Sequence, residues 1–200
     1  MRPCKDVVEW PKLAVYDIET TDWTNVVLLC HVDEYGNRVS FTNVSDYVDW
    51  LFYQFEGQHV WAHAGGRFDH RFIIPEVNRR GWDFRAALSG GTIVLMTIQA
   101  GGKKIFFADS FRLMPDALKK IGKTVGLEKL DVNRREIDSL TPEQALEYCF
   151  RDCDIALKGL QLMRDTFTSV NADFAFTQFN WRQRISLGCF FGRGLSRNLG

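Results

Sequence analysis

Five side chains in this sequence have the types and spacing to do chemistry together: Asp17, Glu19, Asp69, Tyr148 and Asp152. Asp17 and Glu19 lie in Leu13-Ala14-Val15-Tyr16-Asp17-Ile18-Glu19-Thr20-Thr21. Leu13, Val15, Asp17 and Glu19 alternate with Ala14, Tyr16, Ile18 and Thr20, so an extended strand puts both carboxylates on one face. The strand is otherwise apolar, which predicts a place inside a sheet. Two carboxylates at the end of such a strand repel each other and raise each other's pKa. A divalent cation between them removes that cost, and hard oxygen donors suit Mg²⁺ or Mn²⁺. Tyr148 and Asp152 are four apart in a helical stretch and so share a face. Asp69 follows a short strand and a glycine turn. Four acids converging on one point make sense around cations. Two metal ions about 4 Å apart hold the attacking and leaving oxygens of a phosphodiester in line, and a tyrosine hydroxyl beside them could orient the attacking water.

The elements that must position these groups follow from periodicity and breakers. Residues 1–12 are polar and interrupted by Pro3 and Pro11, a lead-in arm. After the carboxylate strand, residues 26–32 and 38–42 read as two more strands around a turn at 33–37. Ser45 is expected to cap a helix carrying Val48, Leu51, Phe52 and Phe55. Residues 60–63 read as a short strand and 64–67 as the glycine turn. Residues 68–77 form a second helix. Residues 92–98 and 104–108 are strands hinged at Gly101-Gly102, and Pro115 is expected to open a helix through Leu118, Ile121 and Val125. Thr141-Pro142-Glu143-Gln144 is a helix start with Thr141 as cap and Gln144 closing a capping box. That helix runs past Tyr148 and Asp152 towards residues 163–167. Strands first, with helices interleaved after, predict an α/β domain on a mixed sheet.

Composition narrows the class. Two hundred residues with 46% hydrophobic content, including 16 Phe and 6 Trp, make one domain plus an extension. Twenty-five basic and 25 acidic residues cancel, so a polyanion would have to be held by local patches rather than a global field. Five cysteines without framework spacing read as reduced thiols of a cytoplasmic protein. No apolar stretch suggests a signal peptide or a bilayer span, and no membrane partner is expected.

The three acid-bearing segments appear in the order Asp17-Ile18-Glu19, then Phe68-Asp69, then Tyr148-Cys149-Phe150-Arg151-Asp152. This pattern resembles the 3′–5′ exonucleases of the DEDD class, in their tyrosine-bearing branch. The segment Asp109-Ser110-Phe111-Arg112-Leu113-Met114-Pro115, with Leu118-Lys119-Lys120-Ile121-Gly122-Lys123 after it, narrows the resemblance. It is similar to the stretch between the second and third motifs in protein-primed family B DNA polymerases of phages. The resemblance covers roughly residues 10–168, a boundary good to a few residues. It implies a ribonuclease-H-like mixed sheet flanked by helices, two Mg²⁺ or Mn²⁺ ions on Asp17, Glu19, Asp69 and Asp152, and Tyr148 beside the attacking water. It implies single-stranded DNA with a 3′ end as the partner, and a polymerase domain in the same or another chain. Ser110 matches a strand-holding Ser-Leu pair, with Phe111 in place of the leucine. Phe68, Lys119 and Lys120 join them as expected strand contacts. The family's asparagine ahead of Phe-Asp is missing, with Ala64 or Gly65 in its place, and His63 or Arg67 is expected to supply that donor. The family's lysine ahead of the third motif has no counterpart near Ser139, and Lys129, Arg134 and Arg135 are substitutes at best.

Two other functions remain open to the sequence. One is a stand-alone exonuclease trimming RNA or short oligonucleotides. The other is a catalytically idle nucleic-acid-binding module. Residues 1–170 are expected to be the exonuclease domain, and residues 171–200 a basic, aromatic extension.

Overall fold

The computed structural model describes residues 11–132 and 139–170. The expectations for the lead-in arm, for Arg134 and Arg135, and for the extension at 171–200 lie outside those residues. Seven strands form one mixed sheet in the order β3-β2-β1-β4-β7-β6-β5. The strands are β1 (Ala14–Thr21), β2 (Asn25–Asp33), β3 (Arg38–Phe41), β4 (His59–Ala62), β5 (Asp83–Ser89), β6 (Thr92–Ala100) and β7 (Lys103–Asp109). The helices are α1 (Val44–Tyr53), α2 (Asp69–Arg79), α3 (Leu118–Thr124) and α4 (Pro142–Val170), with a 3₁₀ turn at Ser110–Arg112. β1 pairs antiparallel with β2 and parallel with β4, and β4 runs parallel to β7. The sheet is thus the α/β, ribonuclease-H-like mixed sheet flanked by helices that the sequence implied.

Alternation along β1 divides the core. Ala14, Tyr16 and Ile18 pack with α1 and α2 residues such as Tyr47, Leu51 and Ile73. Leu13 and Val15 face the other way, against Cys149, Cys153 and Ile155 of α4. Asp17 and Glu19 continue this second face, so the pleat delivers both carboxylates towards α4. The pairing with β2 slips between Glu19 and Thr20, a bulge at the end of the acidic pair.

Several boundaries differ from the sequence reading. Asn43, not Ser45, caps α1: its side chain accepts from the Asp46 N–H at 2.9 Å, leaving Ser45 inside the first turn. Pro115 precedes α3 rather than opening it, because Ser110–Arg112 first forms a 3₁₀ turn capped by Asp109. β5 has no counterpart in the sequence reading. It is an edge strand exposed along nearly its whole length, so neither face imposes an apolar alternation.

Candidate active site

The site is built where β1, the start of α2 and the first three turns of α4 meet. Two hydrogen bonds pin α2 to β1. The Ile18 N–H donates to Asp69 Oδ1 at 3.0 Å, and the Tyr16 hydroxyl meets His70 Nδ1 at 2.6 Å in the buried core. Asp69 is thereby held beside the acidic pair. Burial pushes the His70 pKa down to about 3, so its ring is a neutral brace. The turn before α2 is set by sterics. A Cβ on Gly66 would lie 1.8 Å from the Ile93 carbonyl oxygen, so only glycine fits there. The close approach that this glycine permits is to the chain's own β6, with Gly66 C=O accepting from Ile93 N–H at 3.1 Å. Asp109 holds the same turn through Gly66 N–H at 3.3 Å. Sequence reasoning missed this role.

The acids act on one another, but Asp17 and Glu19 do not raise each other as the spacing predicts: Asp17 raises Glu19, while Glu19 lowers Asp17 through a side-chain hydrogen bond. Burial pushes the Asp17 pKa up to about 7, and the Asp152 carboxylate adds to it. Burial, then the charges of Asp17 and Asp152, raise Glu19 to about 9. Asp69 is also raised, by burial first and Asp17 second. The ligand atoms of Asp17, Glu19 and Cys149 lie within 4.8 Å of one another. Asp69 and Asp152 stand outside this close group and reach Asp17 through their charges. Two crowded carboxylates with two more acids acting on them fit a cation-binding centre, since a bound divalent charge reverses each of these shifts. The Cys149 Sγ lies 3.6 Å from the Asp17 carbonyl and 3.7 Å from Oδ2. It is buried and its pKa is raised by that burial, so it sits there as a thiol.

The least expected member is Lys129. Its ammonium forms an ion pair with Asp152 and stands 4.5 Å over the Tyr148 ring. Burial lowers its pKa, but Asp152 and the Tyr148 hydroxyl outweigh that, and the net shift is upward. The sequence offers Lys129 only as a substitute for the family's lysine, whose aligned place falls near Ser139. A close approach between α3 and the following loop carries it there. A Cβ on Gly122 would come within 2.4 Å of the Leu127 carbonyl oxygen, and Gly122 C=O accepts from Leu127 N–H at 2.8 Å. Tyr148 is buried but belongs to neither apolar cluster. Its pKa is raised by burial and by Asp152, so it keeps its proton.

The expected strand contacts divide by environment. Ser110 is fully buried. His63 Nε2 reaches the Asp116 carbonyl at 2.9 Å and must donate to it, which leaves Nδ1 to accept from the Ser110 hydroxyl at 3.1 Å. Both ring nitrogens of His63 are therefore used within the protein. Arg67 is exposed on the turn, with no ion pair among the described residues. Phe68 and Phe111 are half-buried, and Phe111 packs on His63 at 5.6 Å. Lys119 and Lys120 are exposed on α3 and pair with Asp131 and Asp116.

Ala64 adopts φ +59, a left-handed conformation that alanine tolerates poorly and asparagine well. Ala64→Asn is therefore expected to stabilise the protein by about 1 kcal/mol through the backbone alone. A calorimetric melt checks this. If the new amide also reaches a DNA end, binding of a 3′-tailed oligonucleotide tightens about fivefold, the worth of one net hydrogen bond.

No family model matches this chain, and no curated protein matches it by sequence. Solved structures do match its fold. The Phi29 DNA polymerase complexed with single-stranded DNA superposes with a TM-score of 0.65 at 20% identity, over 78% of this chain and 32% of the polymerase. The same enzyme complexed with primer-template DNA gives 0.64 at 20% identity, over 78% and 32%. The family B DNA polymerase from the hyperthermophilic archaeon Pyrobaculum calidifontis gives 0.55 at 13% identity, over 76% and 24%. This chain spans about a third of the length of the phage polymerase it matches. Among the described residues, no helix is long and apolar enough to cross a membrane.

Proposed function

We propose that this chain, which has the fold of the exonuclease portion of a phage family B DNA polymerase, is a metal-dependent 3′–5′ exonuclease. Its substrate is the 3′ end of single-stranded DNA, as in a proofreading domain. The observation that carries the reading is the gathering of Asp17, Glu19, Asp69 and Asp152 with Tyr148 and Lys129 at one end of β1. Asp17, Glu19, Asp69 and Asp152 would hold two Mg²⁺ or Mn²⁺ ions. Such ions supply a water of lowered pKa and offset charge on the phosphodiester during in-line displacement. Tyr148 keeps its proton and orients the attacking water. The Lys129 ammonium, already desolvated beside Asp152, stabilises negative charge as it develops. Arg67, Phe68 and Phe111 line the approach for the strand, and Ser110 fixes the His63 ring behind them.

Digestion of matched, 3′-tailed DNA and RNA strands in Mg²⁺ and Mn²⁺ tests the reading. Shortening of the DNA from its 3′ end is expected. Faster digestion of RNA makes the chain an RNA-trimming enzyme instead, and absence of hydrolysis in both metals makes it an idle binding module.

Tyr148→Phe removes one oxygen and keeps the ring. The expected result is a rate about 10- to 1,000-fold lower, the range for a positioned proton or water contact, with strand affinity little changed. An unaltered kcat places Tyr148 among the packing residues only.

A further inference from the structure

We propose that Trp23 is a base-stacking residue, which together with Phe68 makes an aromatic corner for an unpaired nucleobase of the strand whose end lies in the carboxylate site. The inference rests on the nuclease reading above for the identity of the strand. β1 ends in a turn closed by Thr24 N–H on the Thr21 carbonyl at 3.1 Å. Its two central residues, Asp22 and Trp23, have φ +52 and +62, the left-handed pair that defines a type I′ turn. Asp-Gly is a favoured pair for such turns, because glycine meets no steric penalty there. This sequence places tryptophan at the glycine position, where a bulky side chain is a conformational outlier. Burial does not repay that strain, since Trp23 is 63% exposed.

The indole instead stands edge-on to Phe68, with ring centroids 5.9 Å apart and planes at 87°. Phe68 in turn packs edge-on against Phe72 at 5.0 Å, which fixes its ring. Phe68 directly precedes Asp69, and Trp23 lies four residues beyond Glu19. At full extension that chain spans no more than about 14 Å. An exposed indole braced by a fixed phenyl ring is an apolar, flat-sided receptor. It suits the face of a base, whatever its sequence identity, and not a phosphate. Strain held at a functional position, and not relieved by a simple substitution, is the pattern expected of a binding residue.

The test uses the full chain, in Ca²⁺ for binding and in Mg²⁺ or Mn²⁺ for turnover. Trp23→Gly restores the Asp-Gly turn and is expected to raise the melting temperature by a few degrees. At the same time it weakens binding of a 3′-tailed oligo(dT) about 10-fold and raises KM similarly, with kcat within about threefold of wild type. Trp23→Phe retains most of the affinity. One abasic position near the 3′ end costs wild type about the same 10-fold and costs Trp23→Gly, which keeps only Phe68, no more than about twofold. If Trp23→Gly binds the tail as tightly as wild type, the stacking role is overturned while the nuclease reading stands. If wild type shows no hydrolysis but binding still depends on Trp23, the nuclease reading falls and the stacking role stands. If wild type does not bind the single strand at all, the stacking role falls as well.

Discussion

Under the proposed nuclease function, Asp152→Ala and Asp17→Asn are each expected to lower the rate of phosphodiester hydrolysis by at least about 10³-fold, the upper end of what loss of one preorganised charge-stabilising group costs. Both variants are expected to fold: Asp17→Asn relieves repulsion, whereas Asp152→Ala leaves the Lys129 ammonium without its carboxylate and lowers the metal-free melting point. With Asp17 raised to about 7 by burial and the Asp152 charge, and Glu19 to about 9 by burial and the charges of Asp17 and Asp152, the folded protein holds protons that the unfolded chain releases near pH 4. Stability falls with pH wherever the folded state binds the extra protons. The metal-free protein therefore loses stability progressively from about pH 4 to pH 9, and Asp17→Asn removes part of that slope. Divalent ions bind the deprotonated acids, so their stabilising effect grows as pH rises through the same window. Melts from pH 5 to 9, with and without Mn²⁺, read both trends. Single-turnover digestion reads the rate. Retained activity in either variant at saturating metal would sink the assignment of these acids. A metal-free melting point that rises towards pH 9 would show that they do not repel as their burial requires.

Lys129→Met keeps most of the aliphatic stem and removes the charge. The expected outcome is a kcat about 10²- to 10³-fold lower at saturating Mg²⁺ or Mn²⁺, with KM for the strand changed little. The alternative role for this lysine is a counter-ion for Asp152 in the metal-free state. A divalent ion would replace such a counter-ion, so saturating metal would then restore kcat. The two roles thus separate on the metal dependence of kcat, and metal affinity provides a second readout. Because the ammonium competes for Asp152, Lys129→Met binds divalent ions more tightly, most of all at low metal concentration. The metal-free variant also melts lower, since removing one partner leaves a buried carboxylate that must take up a proton. Recovery of full kcat with excess metal would reduce Lys129 to a placeholder.

The β1 pattern alone determined that Asp17 and Glu19 share a face, because a pleated strand has a period of two and admits no other arrangement. It also determined that β1 lies inside the sheet, since an uninterrupted apolar run needs cover on both faces. The capping box at Thr141–Gln144 and the four-residue spacing of Tyr148 and Asp152 located α4 and put those two residues on one face of it from local rules. The structure bears out all three. Contacts distant in sequence were decided only by the tertiary structure. Lys129 reaches Asp152 across 23 residues because Gly122 lets the loop after α3 lie against that helix, a close approach with no periodic signature. The Ser110 hydroxyl turns inward to His63, 47 residues away, where the family resemblance implied a contact with the DNA strand. β5 escaped sequence reading because an exposed edge strand has no face to bury. The left-handed φ angles of Ala64 and Trp23 belong to residues whose types give no sign of them. Such backbone states are imposed by the elements on either side, and only the assembled fold specifies them.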